Sequence, residues 1–491
     1  MRVNLKAALG AAALVLPCAL EACTGFYVGR LASADGTTLI ARTVDSRPPT
    51  DSFATVVVPR GTDTWHYVCT PYANRSLRYA SCIVNERGLA VSGTVTGHTD
   101  AKVQAADPFV KDGGACEDTT PEYIGARAST AREAVEMLGA FIARHGNAEA
   151  NVYLFADPQE AWYAETYTGH HWAAVKMPED AVAVFGNQFM LESVEPGSAD
   201  SLTSPGLLDF AEKTGRAVRR ADGRIDVART FGVPLADVAN LRTWDGHRRL
   251  APATAGATYE TSRRYPLFYR PERKVSALDV MELMRSRMEG TSHCPDTRAV
   301  RDRRVIGTEI QCTEHVISVR RGVPAHLACT AWVCHADAEH SVFLPISAAA
   351  TETARGFSTI FGGNDEYHAE VAACAFRRLS ALCTTDRVRR GAGVRRFWRA
   401  RERELSAGWE KAYAEAVALD ATDRAAAAKL LTRFSVAAQE AAEADAKRIF
   451  DELVWHMAEH SESFDFRSSN EGVLRPADPV RPFEPKAGAV K

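Results

Sequence analysis

The sequence predicts one elaborated α+β domain, and three features carry that expectation. Strand-and-turn patterning runs from Cys23 to about residue 100, an antiparallel run of strands fills residues 151 to 185, and helical stretches rich in Ala, Glu and Arg close the chain. The chain has 491 residues, 46% of them hydrophobic, enough to bury a substantial core. Its formal net charge of -3 gives no broad field toward nucleic acid or an anionic membrane, so a small-molecule partner is expected. Self-association is left open.

Taken in order, residues 1–22 follow the grammar of an export signal. Arg2 and Lys6 are basic, Ala7 to Leu16 is a short apolar run, and the small residues Ala19 and Ala22 precede Cys23. The run is too short for a permanent membrane helix, so a periplasmic or extracellular protein beginning at Cys23 is expected. The stretch Leu20 to Cys23 also bears a distant likeness to a lipoprotein cleavage site, whose maturation would block the α-amine of Cys23. Whether a signal peptidase or self-cleavage removes the leader is open.

Phe26, Val28 and Leu31 lead into Ala34, Asp35 and Gly36, and Thr37, Leu39 and Ile40 lead out, which predicts a β-hairpin with a short Asp-Gly turn. Thr130 and Glu133 form a capping box ahead of Val135, Leu138, Phe141 and Ile142, with Gly146 as a stop, so a helix is predicted over about 130–145. Strands follow at Asn151–Ala156, Trp162–Thr166, His171–Lys176 and Ala181–Phe185. Residues 200 to 265 read as irregular, Ala277 to Met288 as a helix opened by Ser276, and Val316 to Phe343 as strands. Helices are expected over about 366–384 and 394–460. Residues 461–491, with four prolines between Pro476 and Pro485, read as a loose tail after a domain spanning 23–460.

With the hairpin tip near Ala34 and Asp35, residues whose numbers sum to roughly 69 should pair, which sets Cys23 near Asp45 and Ser46 with Arg42 a short step back. A thiol, a terminal amine, a guanidinium and a carboxylate are thereby gathered by local geometry. An α-amine titrates near 7.7–8.0, so it can act as a general base without a histidine. Arg42 is expected to favour the thiolate, and Asp45 to orient the amine.

Several stretches in order resemble the PepD-type dipeptidases among the N-terminal-nucleophile cysteine hydrolases. They are CTGFYVGRLASADGTTLIARTVDS from Cys23, VNERGLAVS from Val84, ADPQEAWYAET from Ala156, HHWAAVKMPEDAVAVFGNQF from His170, NLRTWDG from Asn240, KVSALDVMELMRSRMEGT from Lys274 and FRRLSALCTTDR from Phe376. The resemblance implies a four-layer αββα fold with two stacked antiparallel sheets and added C-terminal helices. It implies dipeptide hydrolysis through a thioester on Cys23, with Arg42 and Asp45 matching positions that flank the nucleophile. Asn187 matches an oxyanion-stabilising asparagine and Arg242 a further active-site arginine. Met288 departs from the pattern, standing where the family commonly has an aromatic residue.

Other chemistries have less support. The pair His170 and His171, and the group Cys334, His335 and His340, lack an accompanying CxxC or HExxH motif and read as core or surface residues rather than metal ligands. No GxSxG, P-loop or dinucleotide fingerprint is present, and no cofactor is implied. Beside Cys18 and Cys23 stand nine further cysteines, Cys69, Cys82, Cys116, Cys294, Cys312, Cys329, Cys334, Cys374 and Cys383, whose pairing the sequence does not specify. Two rival functions remain at this point. One is an amidase of the same fold acting on acyl amides such as a penicillin or a conjugated bile acid, and the other is an exported binding protein without activity.

Overall fold

The computed structural model describes residues 23–46, 52–73, 79–296, 304–360, 367–459 and 482–486. The expected leader and most of the C-terminal tail lie outside the described residues. Fourteen strands form two sheets. They are β1 (Thr24–Val28), β2 (Thr38–Asp45), β3 (Val56–Val58), β4 (Tyr67–Cys69), β5 (Cys82–Asn85), β6 (Ala90–Thr96) and β7 (Asn151–Ala156). The later ones are β8 (Ala161–Thr166), β9 (Trp172–Lys176), β10 (Val182–Phe185), β11 (Ser201–Thr203), β12 (Gln311–Val319), β13 (Cys329–His335) and β14 (Leu344–Ser347). One sheet runs β10-β1-β2-β12-β13-β14 and the other β11-β9-β8-β7-β6-β5-β4-β3, with neighbours antiparallel throughout.

Alternation along each strand sends successive side chains to opposite faces, and here both faces are covered. Between the sheets, Tyr27, Ile40, Ile317 and Val333 of the first meet Val84, Val95, Val152, Leu154 and Tyr163 of the second. The outer face of the six-stranded sheet, with Phe26, Leu39, Ala41, Val316 and Trp332, packs on Val280, Met284, Trp409, Tyr413 and Leu431. Those partners come from the helices Ala277–Met284, Ala392–Asp420 and Arg424–Glu459. The outer face of the eight-stranded sheet, with Ile83, Val91, Phe155 and Trp162, packs on Ile124, Val135, Leu138 and Ile142. The architecture is therefore the αββα stack that the resemblance implied. Because the strands are covered twice, β1 and β7 are buried along their whole length, so their sequences read as nearly continuous apolar runs.

Local signals placed several elements well. The helix Ala131–His145 begins at Thr130, whose Oγ1 accepts the Glu133 N–H at 3.1 Å, and it ends at Gly146, whose φ of 76° a glycine adopts without strain. Ser276 and Asp279 make a full capping box for Ala277–Met284, which stops four residues short of the expected Met288. Met288 itself has a positive φ of 57° and is fully buried.

Three expectations are corrected. The link between β1 and β2 is not a short Asp-Gly turn but the whole stretch from Gly29 to Thr37, in which Asp35 Oδ1 accepts from Ser33 Oγ, the Thr37 N–H and Thr37 Oγ1. The register pairs Thr24 with Thr43 and Gly25 with Arg42, so numbers sum to 67 rather than 69. A shift of two keeps every side chain on its expected face. Residues 200–265 are not irregular throughout, since they include the helices Leu207–Lys213, Val227–Phe231 and Asp237–Leu250. The last of these was illegible because its buried positions include Asn240, Arg242, Thr243, Asp245 and His247, which break any apolar stripe. In the C-terminal tail, Phe483 is buried against the helical layer and its N–H donates to the Arg389 carbonyl at 2.9 Å.

The helix Asp237–Leu250 approaches β10 closely enough that a Cβ on Gly246 would stand 2.3 Å from Val184 Cβ. Gly246→Ala is therefore expected to destabilise the fold by about 1–3 kcal/mol and to displace this helix. Denaturant unfolding checks the first effect. An unchanged midpoint with an unchanged m-value would refute it.

Candidate active site

Cys23 immediately precedes β1 and is only 3% exposed. The strands on either side deliver its neighbours, β2 bringing Arg42 and Asp45 and β10 leading directly into Asn187. All five residues singled out from the sequence are buried here. Arg242 ties them together from the helix Asp237–Leu250. Its Nη1 donates to the Cys23 carbonyl at 2.6 Å and to Thr24 Oγ1 at 2.9 Å, and its Nη2 donates to Asn187 Oδ1 at 2.8 Å.

Because Arg242 engages Oδ1, the Asn187 amide is oriented with Nδ2 as its remaining donor, and Nδ2 is buried without a protein partner. The segment after Asn187 is held by Glu165, whose carboxyl accepts from the Met190 and Leu191 N–H groups and from the hydroxyls of Tyr163 and Tyr167. Glu165 is fully buried, and burial raises its pKa against those four donors. It therefore helps position the asparagine segment.

On the β2 side, Arg42 donates from Nη1 to the Thr94 carbonyl, lies 5.5 Å from the centre of the Tyr79 ring, and keeps a buried Nε without a partner. Asp45 accepts from Arg304 Nη2 on Oδ2 at 2.9 Å, while its Oδ1 is buried and unpartnered. Asp45 Oδ1, Arg42 Nε and Asn187 Nδ2 are thus a buried acceptor and two buried donors with capacity to spare.

Arg42 acts on the Cys23 thiol in the expected direction, and burial outweighs it. Burial pushes the Cys23 thiol up to about 11, with Arg42 the strongest opposing charge and Asp45 and Glu117 raising it further. Arg42 thus eases thiolate formation without producing a standing thiolate. Arg242 is pressed down to about 9 by burial and by the charge of Arg304, with Asp45 and Cys23 opposing. Burial also raises the Asp45 carboxyl, against the pull of Arg304 and Arg242.

The histidines have other places. His315 pairs across the sheet with Arg42 and bonds Ser92 Oγ at 2.8 Å, and burial together with Arg42 holds it well below its ordinary range. His170 bonds Asp107 at 2.8 Å, and His171 bonds Ser204 at 3.0 Å and stacks on Phe210. His335 bonds Thr55 Oγ1 at 3.2 Å. His340 lies with Asp337 and Glu339, close enough together to share an ion, but Arg387 and Arg395 already occupy the Glu339 oxygens at 2.9 and 2.8 Å. All ten described cysteines carry free thiols.

Sequence reasoning did not reach Thr24, Tyr79, Thr94, Glu117, Glu165 or Arg304 as parts of the site. Thr24 and Glu165 did fall within quoted motifs. Tyr79, Thr94, Glu117 and Arg304 carry no local spacing signal, because contacts between segments distant in sequence bring them to the site.

The site makes a measurable claim about the thiol. In protein that still carries residues before Cys23, alkylation of Cys23 by iodoacetamide is expected to rise with pH toward a midpoint near 11, and Arg42→Met is expected to move that midpoint higher. A wild-type midpoint at or below the ordinary cysteine range, or no response to Arg42→Met, would refute it.

Comparison with known proteins gives the family. Peptidase family C69 matches residues 22–398. The probable dipeptidase B of Streptococcus pyogenes serotype M1 is 27% identical over 382 residues, covering 70% of this chain and 76% of that protein. A probable dipeptidase of Salmonella dublin is 28% identical over 355 residues, covering 66% of this chain and 80% of its own length. Among solved structures, a mutant conjugated bile acid hydrolase from Clostridium perfringens aligns with a TM-score of 0.30 and 12% identity, covering 66% of this chain and 92% of that one. With the family match spanning most of the chain and its first residues meeting Cys23, the protein belongs to peptidase family C69.

Proposed function

We propose that the protein is an exported thiol dipeptidase whose nucleophile is Cys23, made N-terminal by removal of residues 1–22. The observation that carries this reading is the buried Arg242, which joins the Cys23 backbone to the Asn187 side chain and leaves Asn187 Nδ2 as an unused buried donor. Family membership and the dipeptidase names of its relatives support the substrate class. The pattern of residues 1–22 supports export.

The chemistry follows from the groups present. Cleavage before Cys23 replaces an amide by an amine on the residue that carries the thiol. The unpartnered Asp45 Oδ1 offers that amine an acceptor, and the amine takes the thiol proton as Sγ attacks the scissile carbonyl. Negative charge then moves to the carbonyl oxygen, where Asn187 Nδ2 and a backbone N–H meet it. The amine returns its proton to the departing amino group, leaving a thioester that water resolves. A thiol near 11 has little ionised population at neutral pH, so this transfer is coupled to attack rather than completed beforehand.

A mature protein bearing one extra residue before Cys23 is expected to lose about a thousandfold or more in kcat, because the amine becomes a non-basic amide while every side chain stays in place. His315→Ala and His170→Ala are expected to retain turnover. Turnover of free dipeptides is followed with folding checked by thermal melts. Full activity in a verified extended protein, or complete loss in a folded histidine variant, would overturn the terminal-amine mechanism.

A further inference from the structure

Since β1 lies between β10 and β2, the site has two flanks, and they differ in charge. On the β2 flank, Thr94 binds two residues at once. Its carbonyl accepts from Arg42, and its Oγ1 donates to Glu117 Oε2 at 2.8 Å. A carboxylate is thereby held next to Arg42, and its charge reaches the Cys23 thiol and the Tyr79 hydroxyl. Glu117 is partly exposed while Cys23, Arg42 and Tyr79 are buried, so the carboxylate stands where the site meets solvent. Its backbone N–H donates to Glu149 Oε1 at 2.7 Å, and Glu149 also accepts from Asn151 Nδ2 at 2.9 Å, which anchors the segment to β7.

On the β10 flank, Asn187 lines a small cleft together with His98, Phe189, Val233 and Arg264. Arg264 is partly exposed and forms no ion pair with any described residue. Burial lowers the pKa of His98, so Arg264 supplies the positive charge of this cleft. Cys23, at the start of β1, lies between the two flanks in the order of the strands.

A free dipeptide has the same order of features. Its ammonium is two bonds from the scissile carbonyl carbon, and its carboxylate lies beyond the leaving nitrogen. We propose that Glu117 receives the α-ammonium and Arg264 the α-carboxylate, so that the site selects substrates with both ends free. This assignment rests on the dipeptidase reading above. It places the acyl half toward β2 and the leaving amino acid toward the Arg264 cleft. It also limits length, because each added residue displaces a terminal charge by roughly 3.3–3.6 Å.

The experiment compares the best of a panel of free dipeptides with its N-acetyl and C-terminal amide forms, on wild-type protein, Glu117→Gln and Arg264→Gln. In wild type each block is expected to lower kcat/KM on the order of tenfold to a hundredfold, mainly through KM. Glu117→Gln is expected to cut the free dipeptide by a similar factor and abolish the penalty for N-acetylation while keeping the penalty for amidation. Arg264→Gln is expected to do the reverse, and Glu117→Asp to restore part of the preference for a free amine. An equal loss on all three substrates, or a block penalty that its variant leaves intact, overturns the assignment. So does a wild type that cleaves blocked and free dipeptides alike. A wild type that cleaves no dipeptide at all, with Cys23 still alkylated, overturns the dipeptidase reading instead.

Discussion

The guanidinium of Arg242 is fully buried and divides its hydrogen bonds among three chain segments. It reaches the start of β1 through Cys23 and Thr24, the end of β10 through Asn187, and its own helix through the Val238 carbonyl at 3.2 Å. A cation taken out of water carries a penalty of several kcal/mol that only close, complete hydrogen bonding offsets. The surrounding fold supplies this. Gly246, one turn further along the same helix, lacks the Cβ that would collide with Val184, and so lets the helix lie close against β10. Asp45 supplies the nearby negative charge, itself steadied by Arg304. Displacing any one of these elements would leave the guanidinium, or one of its acceptors, buried without a partner.

The stack of four layers explains why this cluster forms at the first residue of β1. Cys23 lies on the face of its sheet that looks into the space between the two sheets, among Tyr27, Ile40 and Val95. Apolar packing on both sides excludes water from the strand and lengthens the reach of each charge. The thiol shows the consequence directly, because burial outweighs the favourable charge of Arg42. The same dry surroundings that raise the resting thiol strengthen the hydrogen bonds of every fixed donor around it.

How much of this was readable depended on how local the information was. The hairpin that brings Arg42 and Asp45 to Cys23 was legible from apolar runs on either side of a turn-rich stretch, although its link is longer than the Asp-Gly turn expected, and an error of two in register left the grouping intact because the side-chain period of a strand is also two. The capped helix at Ala131–His145 was equally local. Asn187 and Arg242 were reached only through family resemblance, since nothing in FGNQF or NLRTWDG announces a site to physical reasoning alone. For Arg242 the reason is specific. Its helix buries Asn240, Thr243, Asp245 and His247 as well, so the polar residues that build the site erase the periodicity that would reveal the helix. Thr94, Glu117 and Arg304 were out of reach altogether, being separated from Cys23 in sequence and joined to its site by strand pairing and loop docking.

The balance of charge points to what the site is complementary to. Arg42 and Arg242 are both fully buried near the Asp45 carboxyl and a thiol that burial keeps protonated. Arg42 Nε and Asn187 Nδ2 add donors that no protein acceptor uses. The resting site therefore holds buried donors that lack an acceptor. In the proposed reaction a substrate carbonyl supplies the acceptor in its ground state, and it gains negative charge only as the thiol attacks and the oxygen becomes anionic. Interactions that strengthen in this way between substrate and transition state are those that raise turnover rather than merely tighten binding. A permanently ionised thiolate would satisfy the cations before substrate arrived. By keeping the thiol protonated, burial reserves that stabilisation for the step in which the new bond forms.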